Sequence, residues 1–426
     1  MFSFCKPVSS KKRFLPFRKL DDHFSFTLFE HADSIPQSDW KAITKDNTIF
    51  LDLEFLKIVE RGEHTRMMCR YVIVYHKNQP CGILYFQIID FKAGVFGDLL
   101  SNQVETIRSS RMSLFEKYID SNKEEVLLRL FTCGNNLVSG EYGFLFDKKL
   151  DEQQAHFLML QIVDLVAREE KLRGTIAAIL LKDFEHKLKP EKLFREERYS
   201  EFFVEPNMIV EIPKGVHSVE DYTGLFSKKY RNRAKSIFKS FTEIETRYLD
   251  LDAIKQCETD IYRLYEGIFE KAKFKLIKLP ANYFSSVKCA YDQQFTVKGF
   301  FHDGKLVAFA SSFLMPDGSL EAHYIGFNYE LNTTFNLYQN ILYSMIGEAI
   351  KHQRNRVNLG RTAAEIKTTV GARAQDLTCY IKPQNTISKL IQKPFISFLQ
   401  PAEWTPRNPF KEENSETEKA VAIDQK

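Results

Sequence analysis

VKGFFHDGKLVAFASSFLMPDGSLEAHYIGF, residues 297–327, reads as three strands joined by two tight turns. Val297–Phe301, Leu306–Phe313 and Leu320–Phe327 are rich in aromatic and β-branched residues. They are parted by His302-Asp303-Gly304-Lys305 and by Pro316-Asp317-Gly318. Asp-Gly supplies the positive backbone angles of a tight hairpin, so the stretch predicts an antiparallel meander. From Phe335 onward, Tyr338, Ile341, Leu342, Met345, Ile346, Ala349 and Ile350 recur at three- and four-residue intervals, which marks one buried face of a helix. His352, Gln353, Arg354 and Asn355 end that helix. Val357–Leu359 is short enough to be an inner strand, and a lysine-bearing helix and a closing strand complete the order by Lys382.

The same order occurs earlier in weaker form. Arg70–Tyr75 and Gly82–Ile89 flank the turn Lys77-Asn78-Gln79-Pro80, and Val126–Phe131 reads as a third strand. Asp151 with Gln154 three residues on resembles a capping box, after which Ala155, Leu158, Ile162 and Val166 give an apolar helical face. Thr175–Leu181 is the next strand, Lys187–Phe194 a short helix and Phe202–Ile212 the last strand. The chain is therefore a duplication of one α/β unit.

Bulk properties agree with two domains. The 426 residues suffice for two ordinary cores, and 37 Phe with 18 Tyr suit sheets packed by helices. A formal charge of +4 gives no global field for DNA. The seven cysteines, Cys5, Cys69, Cys81, Cys133, Cys257, Cys289 and Cys379, are scattered and odd in number. They predict reduced thiols in a cytoplasmic protein, with neither a zinc site nor a disulfide frame. The basic lead (Lys6, Lys11, Lys12, Arg13, Arg18, Lys19) is not followed by a signal-peptide core, and no run approaches the ~20 apolar residues of a transmembrane helix. Residues Glu412–Lys426 have a disordered composition.

Meander, helix, strand, helix, strand resembles the GNAT acyltransferase fold. In tandem it resembles the group that includes the Fem aminoacyltransferases and the BioF2-like, peptidoglycan biosynthesis/recognition-like proteins. Ile35–Trp40, Phe50–Leu56 with Glu60, Cys133–Gly143, Tyr222–Arg233, and Leu359–Thr362 through Lys367 and Gly371 carry the likeness. It implies a basic tail at 1–22, GNAT-like domains at 23–205 and 206–385, and an extension at 386–426. Each domain is expected to be a mixed, mostly antiparallel twisted sheet flanked by helices. The chemistry implied is transfer of an acyl group from a thioester, or of an aminoacyl group from tRNA, to an amine. That reaction needs a deprotonated amine, a polarised carbonyl and a proton source, and calls for neither a metal nor pyridoxal phosphate.

The donor loop departs from the pattern. GNAT enzymes seat a CoA diphosphate on a glycine-rich turn opening the central helix, where the dipole favours an anion. Here Asn328–Asn336 has no glycine, and Gly134, Gly140 and Gly143 of the earlier copy lack the spacing. A helix over Tyr222–Phe241 has an apolar face and a cationic stripe, of which Lys228, Arg231 and Arg233 are the candidate anion binders; a solvated basic face is the competing reading. On Leu320–Phe327, alternation sends Glu321 and His323 to one face and Tyr324 to the other. Glu321 or His323 is then the candidate base and Tyr324 the candidate acid. Gly360, Arg361, Thr362 and Lys367 place donors and charge at the carboxyl end of an inner strand, where ligands gather, unless they only shape a loop.

The expectation is an N-acyltransferase using acyl-CoA or an acyl-carrier protein on a small-molecule amine or nucleotide-linked acceptor. The alternatives are a Fem-like aminoacyltransferase acting on a cell-wall precursor, and a non-catalytic pair of GNAT folds that binds an anionic ligand. Asp250–Tyr283 is too short and mixed for the helical arm expected of the Fem-like reading.

Overall fold

The computed structural model of the protein describes residues 17–411, except 46–47, 63–65, 93–126, 186–190, 273–276 and 402. The expectations for Lys6 to Arg13, Val126, residues 187–190 and 412–426 lie outside that range.

The first half runs β1 (Phe17–Lys19), β2 (Phe24–Phe29), α1 (Gln37–Thr44), α2 (Leu53–Arg61), β3 (Met67–His76), β4 (Gln79–Lys92), β5 (Leu127–Cys133), β6 (Phe144–Phe146), α3 (Glu152–Lys171), β7 (Ile176–Glu185), α4 (Glu191–Glu196) and β8 (Ser200–Glu211). The second begins with α5 (Val219–Gly224), α6 (Lys228–Lys239), β9 (Glu245–Tyr248), α7 (Leu251–Gln256), α8 (Glu258–Phe269) and α9 (Tyr283–Tyr291). It continues with β10 (Phe295–His302), β11 (Lys305–Leu314), β12 (Ser319–Phe327), α10 (Tyr329–Phe335), α11 (Leu337–Lys351), β13 (Arg356–Asn358), α12 (Ala364–Thr368), β14 (Arg373–Pro383) and α13 (Thr386–Leu399).

The turn chemistry acts as the sequence predicts. Asp303 and Gly304 both have positive φ (49° and 73°), as do Lys77 and Asn78 (49° and 64°), which matches the right-handed twist of the hairpins they close. Asp151 caps α3 by accepting from the Gln154 N–H at 3.1 Å.

The halves share one sheet, in the order β1-β2-β3-β4-β5-β7-β14-β8-β13-β12-β11-β10-β9, with β6 on β4. Among the described residues only β5·β7 and β12·β13 are parallel. The last strands are exchanged: β14 of the second half pairs with β7 of the first, β8 of the first pairs with β13 of the second, and β8 and β14 pair at the centre. The boundary at 205/206 falls inside β8, so the halves are joined through their innermost strands.

One face of the sheet carries α1, α2 and α7 to α9 over a core common to both halves. Phe50 and Phe55 lie 5.5 and 6.1 Å, centroid to centroid, from Phe313. Each such ring buried contributes about 1.5–3 kcal/mol. Ile35 and Trp40 of the first stretch, and Phe50, Leu51, Leu53, Phe55 and Leu56 of the second, thus serve as core; the Trp40 indole donates to the Leu51 carbonyl at 2.8 Å. On the other face, α3 packs over the first half, and α5, α6 and α11 over the second.

One element differs from expectation. The helix expected over Tyr222–Phe241 is broken into α5 and α6, because Tyr222 and Phe226 turn fully into the core and Phe226 forms a bridge with Phe410. The extension after 386 opens with α13, which lies over β7, β8 and β14, and residues 403–411 then strap α5, α6 and α12. Among the described residues, no helix is long and apolar enough to cross a membrane.

Candidate active site at the split between β12 and β13

β12 and β13 pair only through Ser319–Glu321 and Arg356–Asn358. Beyond Glu321, β12 continues six residues with β11 alone as partner, and a cavity of about 770 Å³ opens in the gap. The cavity reaches both faces of the sheet. On the α11 face its walls are Ile325, Tyr338, Ile341, Leu342, Met345 and Leu359, and on the other they include Phe50, Leu137, Tyr265, Glu321, His323 and Tyr324.

The side chains of β12 do not follow simple alternation. Ala310 pairs with Ile325 and Ser312 with Ala322, so His323 and Tyr324 together oppose the single residue Ser311. This is a β-bulge, a device that re-aims side chains and is frequent beside active sites. The Ser311 hydroxyl holds it by donating to the Tyr324 carbonyl at 2.8 Å and accepting from the Tyr324 N–H at 3.0 Å. The separation of Tyr324 from Glu321 and His323 expected from alternation is therefore corrected: the bulge turns all three toward the same wall.

Their environments differ. Glu321 is 8 % exposed and accepts from the Asn358 amide at 2.9 Å; burial pushes its carboxyl well above the usual range, against the pull of that hydrogen bond. His323 sits among Phe50, Phe313 and Tyr283, and burial lowers its pKa to about 3. It is a neutral imidazole whose Nε2 lies 2.7 Å from the Tyr283 hydroxyl. Tyr324 donates its hydroxyl to the Leu137 carbonyl of the first half at 2.6 Å, and burial raises its pKa.

The floor of the cavity is a charged cluster that the sequence reading did not contain. A second bulge, on β7 opposite Cys379, places Lys182 and Asp183 side by side, with Asp183 at φ 62°. The Asp183 carboxylate, fully buried, pairs with the guanidinium of Arg361 and the ammonium of Lys182, and accepts from the Gly140 N–H at 3.0 Å. Burial alone would raise its pKa, but Arg361 and Lys182 together hold it below the carboxylate range. Lys182 also donates to the Val138 carbonyl at 2.7 Å. Gly134, at φ 137°, has no room for a side chain, since a Cβ would lie 2.9 Å from the Cβ of Lys182. Gly134 thus serves close approach to this cluster. The available signal was the charged pair Lys182-Asp183 closing the wholly apolar run Ile176–Leu181, in the position Arg361 holds after Val357–Leu359.

Gly360, Arg361, Thr362 and Lys367 all line the cavity. The Gly360 N–H donates to the Asn358 side chain at 2.9 Å, and Gly360, Thr362 and Ala363 all have positive φ (71°, 67° and 50°). For a β-branched threonine this conformation is costly, about 1–3 kcal/mol, and such strain gathers at functional sites. The loop is braced by Lys367, 3 % exposed, whose Nζ donates to the Gly360 carbonyl at 3.1 Å and to that of Arg361. Burial lowers the Lys367 pKa to about 7, against the pull of Glu205.

Lys228, Arg231 and Arg233 are not brought here. They lie on α6, Lys228 and Arg233 exposed, and none lines the cavity. The start of α11 is not an open phosphate seat either: α10 lies before it, and Asn332 accepts from the Tyr338 N–H at 2.9 Å. Among the described residues no group of three or more His, Cys, Asp or Glu is placed to hold a metal ion.

A meander, helix, strand, helix and strand stand in each half, around one sheet with exchanged last strands, the order expected from the resemblance. Among solved structures the chain is similar to FemX, at 12% identity over 84% of this chain and 98% of that one, TM-score 0.48. It is also similar to L-PGS from Bacillus licheniformis (10%, 85% and 95%, TM-score 0.47) and to a tandem GNAT protein from the clavulanic acid biosynthesis pathway (6%, 84% and 98%, TM-score 0.47). No protein-family model and no curated protein matches the chain.

Proposed function

We propose that the protein is an N-acyltransferase that moves an acyl group from a thioester, acyl-CoA or an acyl-carrier protein, to an amine in the cavity of the second half. The observation that carries this reading is the parting of β12 from β13 beside a bulged β12, which opens one cavity to both faces of the sheet. The donor enters on the apolar α11 face, and the amine approaches from the face of Glu321. The amine nitrogen attacks the thioester carbonyl, Glu321 takes a proton from that nitrogen, the C–S bond breaks, and the thiolate leaves as thiol by taking up that proton from the Glu321 carboxyl. Once ionised, a carboxylate whose pKa is raised by burial is the stronger base of the two candidates, since His323 at about 3 is a weak one. Two cations against one carboxylate at Arg361, Lys182 and Asp183 leave positive charge where an anionic acceptor group or developing oxyanion is stabilised. Tyr324 positions the first half's Leu137 loop.

The test is thiol release from a panel of acyl-CoAs and acyl-carrier proteins with an amine library. Release that depends on the amine and falls with Glu321→Gln is expected. If no thioester binds or turns over while aminoacyl-tRNA supports transfer, the Fem-like reading takes its place. Binding of an anionic ligand without any transfer leaves the non-catalytic one.

A further inference from the structure

A second pocket, of about 380 Å³, lies between α6 and α12 on the same face of the sheet as α11. Lys229, Arg233 and Arg407 supply its cations and Glu365 its one acid among the lining residues. Arg407 is bound to Glu365, its Nε at 3.1 Å, while Lys229 and Arg233 have no carboxylate partner among the described residues. The helix they stand on reinforces the charge: α6 holds Lys228, Lys229, Arg231, Arg233, Lys235 and Lys239 and no acid. Ile366 lines both this pocket and the main cavity, so one short helix separates a cationic hollow from the apolar donor lobe.

We infer that this pocket holds the phosphate of the donor's pantetheine arm, with Lys229 and Arg233 as its ligands and Arg407 completing the ring of charge. The inference rests on the thioester-donor reading above and names where that donor is gripped. A phosphate there carries its arm past Ile366 into the lobe walled by Ile341, Leu342 and Met345. Charge-assisted bonds from arginine and lysine are the means by which such a group is held where no backbone cradle serves it. The same phosphate occurs in CoA and on acyl-carrier proteins.

The experiment compares the binding of acyl-phosphopantetheine and acyl-pantetheine, which differ by this phosphate alone, to the wild-type chain and to the Lys229→Ala, Arg233→Ala double variant. Wild type is expected to prefer the phosphorylated donor by on the order of tenfold or more. The variant should lose that preference and bind acyl-pantetheine as wild type does, with unchanged melting, since both side chains are exposed. A retained preference, or equal losses for both compounds, overturns the subsite. Parallel titrations with acyl-CoA and acyl-carrier protein separate the sources: loss with both supports the subsite, whereas loss confined to the carrier protein means that α6 reads the carrier's surface, which also overturns it. If wild type binds none of these thioesters, the donor reading itself fails.

Discussion

The first half pairs β5 with β7 from Arg129 to the end of the strand at Cys133, whereas the second half lets β12 leave β13 after Glu321. Both halves have the same order of elements, so the duplication does not by itself say where chemistry is done. The closed half contributes walls instead. Its loop from Asn136 to Ser139 borders the other half's cavity, and its bulged β7 supplies Lys182 and Asp183 to the floor. Strand exchange explains the division of labour: with β14 beside β7 and β8 beside β13, the carboxyl ends of β7 and β13 face one another across the centre.

If the open half works and the closed half supports it, the largest effect on turnover belongs to Glu321. Glu321→Gln keeps the hydrogen bond from Asn358 but removes the proton acceptor, and is expected to lower kcat by about 10²–10⁴-fold with unchanged melting. An unchanged rate would remove Glu321 from the mechanism. The largest effect on stability belongs to the joint between the halves. Asp183→Ala leaves Arg361 and Lys182 uncompensated and should cost about 3–5 kcal/mol in chemical denaturation. A loss under 1 kcal/mol would show that the cluster is solvated.

Lys367 sharpens the comparison through pH. Its folded pKa of about 7 lies below the ordinary lysine value of 10.5, so between those values the folded chain binds fewer protons than the unfolded one. This part of the stability is thus absent below pH 7 and rises with pH through that window, by at most about 1.4 kcal/mol per pH unit. Lys367→Met should flatten the rise in urea titrations between pH 7 and 10. The smallest effect is expected in the closed half: Thr132, on β5, has a buried hydroxyl without a hydrogen-bond partner among the described residues, so Thr132→Val should gain about 1 kcal/mol and leave turnover untouched.

How much of this was legible depended on the range of the determining interaction. Asp303-Gly304, the periodic face from Tyr338 to Ile350 and the cap at Asp151 are local signals, and the elements they predict are present. Gly360, Arg361, Thr362 and Lys367 could be singled out because a glycine after an inner strand marks the end of a sheet where ligands collect. Lys182 and Asp183 could not be joined to Arg361, because that meeting needs the exchange of β8 and β14 between residues far apart in the chain. The bulge that unites His323 with Tyr324 depends on Ser311 of the neighbouring strand, and alternation along a single strand carries no trace of it. The break at Leu225–Ser227 depends on Phe410, almost two hundred residues away in sequence.

The most direct test is a crystal structure of the protein with a non-hydrolysable acyl-CoA analogue. The account predicts a single analogue threaded between β12 and β13, its acyl carbon facing Glu321 and its pantetheine arm against Leu342 and Met345. An analogue seated between β5 and β7, or bound outside the cavity with β12 and β13 unoccupied, would contradict it.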